Sequence, residues 1–181
     1  IGKVSLIELR DSKCVKCSGF SLLRDYLGKA GVRVFENRSV EVDSPEGKKL
    51  LTEHKVEKIP SLLISKDLDY YKTAPQVINS SKALSSSGYY LVPPLTPPYS
   101  EVASGITRGI VNVTIVLDSS CAECSSIEPV LGFLQQNSVS IGDRKELDYS
   151  SEDGKKAVSD YGIKKLPALL ISDEVILYDR P

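Results

Sequence analysis

Asp11-Ser12-Lys13-Cys14-Val15-Lys16-Cys17 and Asp118-Ser119-Ser120-Cys121-Ala122-Glu123-Cys124 contain all four cysteines of the chain. Placing every thiol in a Cys-x-x-Cys pair points to redox chemistry or metal binding rather than to packing. Each pair is trailed at the same distance by a hydrophobic residue and a proline, Ile59-Pro60 after Cys14 and Leu166-Pro167 after Cys121. The shift between the two sets is 107 residues, without a gap. Under it Gly47-Lys48-Lys49 falls on Gly154-Lys155-Lys156, and Leu62-Leu63-Ile64-Ser65 on Leu169-Leu170-Ile171-Ser172. From Val4 to Ser65, 18 of 62 positions are identical. The chain is therefore a tandem duplication, and its length divides into two domains of roughly 70 to 75 residues each.

Both repeats read the same way. A β-branched, apolar strand comes first, Val4 to Leu9 and Val111 to Leu117, and the dithiol follows at its end. A helix then carries an apolar stripe, Phe20, Leu23, Leu27 and Ala30 in one repeat and Ile127, Val130, Leu131 and Leu134 in the other. A second strand covers Val32 to Val42, matched by Val139 to Leu147 with an interruption at Gly142. A second helix runs from Glu46 to His54 and from Asp153 to Tyr161, with acids in its first turn where the helix dipole favours them. Short strands after Pro60 and Pro167 lead through a turn to a last strand ending near Tyr71 and Tyr178. The expected order is β-α-β-α-β-β, an α/β fold with a mixed central sheet. Residues 1–73 and 109–181 form the two domains. Residues 74–108 join them as a connector with five of the ten prolines and a serine cluster. Tyr89-Tyr90-Leu91-Val92 is too apolar for a free linker, so that piece is expected to pack against a domain.

Composition narrows the field. Charge is balanced, 23 basic against 24 acidic residues, which argues against a nucleic-acid partner bound by bulk electrostatics. The chain starts at Ile1 and has no methionine, so a trimmed or processed chain is expected, with any signal peptide or membrane anchor outside it. Three of the four asparagines, Asn37, Asn79 and Asn112, sit in Asn-x-Ser/Thr sequences. They favour an extracytoplasmic setting, membrane-anchored if such an anchor lies outside the chain, over the cytoplasmic alternative.

A dithiol after a strand and at the first turn of a helix suits chemistry. The helix N-terminus stabilises a thiolate on the first cysteine, and the second attacks the mixed disulfide that results. Strand, Cys-x-x-Cys, helix and then hydrophobic-Pro before a strand resembles the thioredoxin fold, in both repeats. The resemblance implies two tandem minimal thioredoxin-like domains and redox-active disulfides Cys14–Cys17 and Cys121–Cys124 with no other cofactor. It also implies cis-prolines facing them, with Ile59, Pro60, Leu166 and Pro167 binding extended substrate backbone. Cysteine-containing proteins, or a dithiol reductant or oxidant, are the implied partners. Pro129 matches the proline that kinks the active-site helix of that family, where repeat one has Leu22. Glu8 stands where protein disulfide isomerases keep a buried acid that passes a proton to the second cysteine; repeat two has Ile115 there. Lys13 and Ser120 replace the family's tryptophan. The layout is similar to archaeal protein disulfide oxidoreductases with two dithiol domains, and to membrane-anchored proteins with repeated thioredoxin-like units.

Local charge separates the repeats: Arg10 to Ser21 carries a net +2, and Leu117 to Glu128 a net −3. Cations lower a neighbouring thiol's pKa and anions raise it. Cys14–Cys17 is thus expected to be the more oxidising and more reactive pair. Two other readings stand beside the oxidoreductase. One is a thioredoxin-like binding or scaffold module with inert structural disulfides, which the absent tryptophan and Ile115 favour. The other is a cysteine-based zinc site or iron–sulfur cluster, with the two pairs brought together across 103 residues.

Overall fold

The computed structural model describes residues 2–178 and divides into two units between Arg108 and Gly109. In the first unit, β1 (Val4–Arg10) is followed by α1 (Ser21–Lys29), β2 (Val34–Glu41), α2 (Pro45–Glu53), the two-residue β3 (Lys58–Ile59) and β4 (Ser61–Ser65). A 3-10 turn at Lys66–Tyr70 leads to α3 (Ala74–Ser80), β5 (Leu84–Ser86), β6 (Tyr89–Val92), β7 (Tyr99–Glu101) and β8 (Thr107–Arg108). The second unit holds β9 (Ile110–Leu117), α4 (Glu128–Gln136), β10 (Ser140–Asp148), α5 (Glu152–Asp160) and β11 (Ala168–Ile171), then a 3-10 turn at Asp173–Tyr178.

In each unit the first two strands run parallel and the strand after the proline pairs antiparallel with the first. The sheet orders are β2-β1-β4-β6-β5 and β10-β9-β11, with β3-β7-β8 as a small separate sheet. β1 is covered on both faces, which is why it reads as an almost unbroken apolar run. Val4 and Leu6 join Phe20, Leu23 and Leu27 of the α1 side in one core, while Ile7 and Leu9 pack with Val40, Val56 and Leu63 on the other face. Glu8 is spaced with Leu6 and so points toward α1. Leu27 has no exposed surface, and burying a side chain of that size contributes about 1.5–3 kcal/mol.

The second helix of each unit is capped identically. Gly47 N–H donates to Ser44 Oγ at 2.9 Å and Gly154 N–H to Ser151 Oγ at 3.0 Å, which satisfies a backbone donor the helix itself leaves open. Both glycines press on the strand before them: a Cβ would collide with the Glu41 carbonyl at Gly47 and the Asp148 carbonyl at Gly154. This close approach explains why glycine stands at this position in both repeats.

Several expectations change. The last strand expected near Tyr71 and Tyr178 is a 3-10 turn in both units. Each tyrosine serves as a clamp there. Tyr71 Oη donates to Gly2 O at 2.6 Å and accepts from Arg33 N–H at 3.0 Å; Tyr178 Oη does the same with Gly109 O and Ser140 N–H. In the first unit the closing strand comes instead from residues expected in the connector, since β6 pairs with β4 from Leu62↔Val92 to Ser65↔Tyr89. α3 buries Ala74 and Val77 in the same core as α1. The whole 74–108 stretch is thus built into the first unit. The interruption at Gly142 is a register shift between Ile141 and Arg144, where Asn112 Oδ1 accepts the Asp143 N–H at 2.9 Å.

Candidate functional site

The dithiol loops leave the ends of β1 and β9 and are held by matching carboxylates. Asp11 Oδ1 accepts the Lys13 N–H and Asp118 Oδ1 the Ser120 N–H, each at 2.9 Å. Such Asx turns arise because a short carboxylate reaches the backbone two residues on. The last residue of the neighbouring strand ties the same loop: Glu41 Oε2 accepts the Ser12 N–H at 3.0 Å and Asp148 Oδ2 the Ser119 N–H at 2.9 Å. Hydrogen bonds from Ser119 and Ser150 hold the Asp148 carboxyl well below the usual carboxylate range. Cys14 bonds to Cys17 and Cys121 to Cys124.

The position of the sulfurs differs from the expectation. α1 starts at Ser21 and α4 at Glu128, so each dithiol lies in the loop before the helix rather than on its first turn. Pro129 is the second residue of α4, where proline is tolerated, and makes no kink in mid-helix. Exposure differs between the two pairs. Cys14 is buried and Cys17 half-buried, while Cys121 is half-buried and Cys124 exposed. The second cysteine of each pair is the one more open to solvent.

The prolines meet the dithiols. Ile59-Pro60 and Leu166-Pro167 are cis peptide bonds. Pro60 lines a cavity of about 310 Å³ with Cys14, Cys17, Glu8 and Gly19, and Pro167 one of about 280 Å³ with Cys121, Cys124, Arg144 and Glu146. Glu8 is 7% exposed and accepts from Arg24 Nη2 at 2.5 Å. Arg24 Nε is buried with no hydrogen-bond partner among the described residues. The loop closes directly over this acid, for a Cβ on Gly19 would stand 2.7 Å from Glu8 Oε1.

Arg24 escapes a reading of the sequence alone, although the repeat contains its signal. The 107-residue shift sets Ile115 and Leu131 against Glu8 and Arg24, so a buried ion pair in one unit is a buried apolar pair in the other. The second cavity nonetheless has carboxylates, from other elements. Arg144 Nη2 donates to Glu128 Oε1 at 2.5 Å and Glu146 Oε1 at 2.6 Å, and these bonds push the guanidinium above its ordinary value. Glu146 is paired with Ile115 across the parallel β9–β10 ladder, one strand away from where Glu8 would stand. The charge windows read from sequence also missed partners from the end of β2 and the turn after it: Lys13 pairs with Asp43 at 2.6 Å and Arg10 with Glu41 at 2.7 Å.

A parallel strand pair, an antiparallel third strand after a cis-proline, and a dithiol loop facing that proline recur in both units. Both units have a thioredoxin-like fold. No protein-family model matches the chain, and no curated protein matches it. Among solved structures it is similar to the alkylhydroperoxide reductase component AhpF of Enterococcus faecalis, at 17% identity and a TM-score of 0.27, over 94% of this chain and 82% of that one. The N-terminal domain of AhpF, solved separately, matches at 17% identity and a TM-score of 0.26, with the same coverage. A protein disulfide oxidoreductase from Aeropyrum pernix matches at 14% identity and a TM-score of 0.23, over 95% of this chain and 77% of that one. Likeness at this level carries no activity over to this chain.

The remaining candidates are structural or lie elsewhere. His54 is buried, with Nδ1 2.9 Å from Ser86 Oγ, and burial pushes its pKa down. The cavity of about 600 Å³ beside it shares no residue with either dithiol cleft. Among the described residues no group of three or more His, Cys, Asp or Glu side chains is arranged to hold a metal, and no helix is long and apolar enough to cross a membrane.

Proposed function

We propose that this chain is a thiol–disulfide oxidoreductase that exchanges disulfides with cysteine-containing partners through both dithiols. The observation that carries the reading is the shared cavity: in each unit the two cysteines and a cis-proline line one cleft. A disulfide that shares a cleft with a cis-proline loop gives an incoming sulfur a path to the S–S bond. Cys17 and Cys124, the more exposed residue of each pair, are the points of first contact for an incoming thiolate on the oxidised protein.

Cys14–Cys17 is the more reactive pair toward small thiols in this reading. Glu8 supports it, because a carboxylate under the loop can take the proton of the thiol that must attack next. The partners are proteins with accessible cysteines, or a dithiol that recharges the sites. An oxidising compartment outside the cytoplasm suits such a cycle.

Dithiothreitol-driven reduction of insulin tests the reading. The full chain accelerates it, and replacing all four cysteines by serine abolishes the acceleration. If the intact chain gives no acceleration over dithiothreitol alone, the disulfides are structural and the scaffold reading replaces this one.

A further inference from the structure

One rung of each parallel ladder beside a dithiol carries a single carboxylate, and the two repeats place it on opposite strands. Glu8 of β1 is paired with Ser39 of β2, whereas Ile115 of β9 is paired with Glu146 of β10. The 107-residue shift sets Glu8 against Ile115 and Ser39 against Glu146, so the acid has crossed the rung. Its cation has moved with it. Arg24, which pairs with Glu8, is matched by Leu131, while Arg144, which pairs with Glu146, is matched by Asn37. Each repeat therefore has an uncharged residue wherever the other has a member of its ion pair.

The transposed pair still faces its dithiol. Residues two apart on a strand share a face, and so do residues paired across a ladder. Ile115 packs with Leu131 of α4 in the second core, so Arg144 and Glu146 lie on the α4 side of the sheet. Arg144 reaches Glu128 at the start of that helix at 2.5 Å and holds the Glu146 carboxylate at 2.6 Å. Arg144 and Glu146 line the cavity of Cys121, Cys124 and Pro167, as Glu8 lines that of Cys14, Cys17 and Pro60. All the positions compared lie in the stretch that the repeats share, and no residue of 74–108 lines the first cavity.

We propose that Glu146 is the proton acceptor of the second dithiol, held in place by Arg144, and does for Cys121–Cys124 what Glu8 does for Cys14–Cys17. The assignment rests on the thiol–disulfide reading above. Ile115 thus does not leave the second site without a base. One thiolate of the reduced site attacks a partner's disulfide, forming a mixed disulfide and expelling one partner sulfur, which is protonated. The remaining cysteine passes its proton to the Glu146 carboxylate, and its thiolate closes the Cys121–Cys124 bond. The second partner sulfur leaves and takes up a proton in turn. The site ends as a disulfide and the partner as two thiols, so two electrons and two protons have crossed.

The test uses the full chain with Cys14→Ser and Cys17→Ser, so that only the second site reacts. The reduced protein is mixed with oxidised glutathione, quenched in acid over a time course, and read by mass spectrometry for the lifetime of the glutathione mixed disulfide. Glu146→Gln lengthens that lifetime about tenfold at about pH 6.5, less than the usual effect of a positioned base because Glu146 is exposed. The loss shrinks to about twofold near pH 9.5, where a cysteine of ordinary pKa, about 8.5, ionises without help. Removing a nearby anion by itself eases thiol ionisation and shortens the lifetime, so a lengthening that fades with rising pH reports proton transfer. A second measurement, with Cys121→Ser and Cys124→Ser, starts from Glu8→Ile with Arg24→Leu, which lengthens the lifetime at the first site. Adding Ser21→Glu, Asn37→Arg and Ser39→Glu, all at exposed positions, installs the second unit's arrangement and recovers most of that loss. A Glu146→Gln profile parallel to the parent's, a loss that follows Glu128→Gln instead, or a graft that folds by circular dichroism without recovery overturns the assignment and leaves disulfide exchange intact. If the isolated second site forms no mixed disulfide at any pH, the exchange reading of that unit itself falls.

Discussion

Replacing Arg24 by leucine isolates the energetics of the ion pair under the first dithiol. Glu8 and Arg24 meet at 2.5 Å, with 9% and 23% of their side chains exposed. Arg24→Leu leaves the Glu8 carboxylate buried without its partner, which costs about 3 kcal/mol, the low end for a broken buried pair because Arg24 is partly open to water. Adding Glu8→Ile removes the stranded charge and installs the pair that the second unit already holds as Ile115 and Leu131. The double variant therefore returns to within about 1 kcal/mol of the parent, since apolar replacement of a buried ion pair is often neutral or stabilising. Urea unfolding followed by circular dichroism, run on parent, both single variants and the double, gives the coupling energy directly. The transition of the first unit shifts down for Arg24→Leu, by roughly 10 °C or more in a thermal scan, and is restored in the double variant. If the two substitutions simply add, to within about 0.5 kcal/mol, Glu8 and Arg24 do not act as a pair and their coupling is refuted. Exchange at Cys14–Cys17, measured with the second pair replaced by serine, stays low in the restored double variant because it lacks the carboxylate.

The other expectations concern the scaffold. Tyr71→Phe removes both bonds of the clamp and destabilises the first unit by about 1 kcal/mol, with Tyr178→Phe doing the same in the second; unfolding midpoints check both. Gly154→Ala drives a methyl group into the Asp148 carbonyl and costs the second unit about 1–3 kcal/mol, whereas Gly132→Ala, which meets nothing within 4 Å, leaves its melting temperature level or higher. Burial lowers the His54 pKa, so its contribution is fully present above the unfolded imidazole value near 6.5 and is lost as pH falls through the lower folded value. Stability of the first unit accordingly declines as pH drops below about 6.5, and His54→Phe flattens that decline; a slope unchanged by the substitution would contradict the assignment.

The duplication made much of this readable in advance. A gapless shift of 107 residues aligns the dithiols, the prolines, the Gly-Lys-Lys helix starts and the strand cores, and all of these depend on local pattern. Glu8 could be singled out because the thioredoxin resemblance implies a buried acid at that place before the first cysteine. Arg24 could not, since an arginine on a helix reads as a solvated side chain until its facing strand is known. Arg144 and Glu146 stayed hidden for a related reason: they reach the second cavity from the neighbouring strand. Tyr89 to Val92 was recognisable as too apolar to be free, but its pairing with β4 depends on which sheet edge was vacant.

Local order along the chain determined that there are two copies, that each holds a dithiol and a proline at fixed separation, and which helices and strands lie between them. Those features come from side-chain periodicity and short-range backbone preference, which neighbouring residues set among themselves. Tertiary structure alone decided that distant carboxylates answer the local cations, that Arg24 pairs with Glu8, and that β7 pairs with the edge of β3. Each of these is a contact between residues far apart in sequence, fixed by how sheet edges and buried charges find partners.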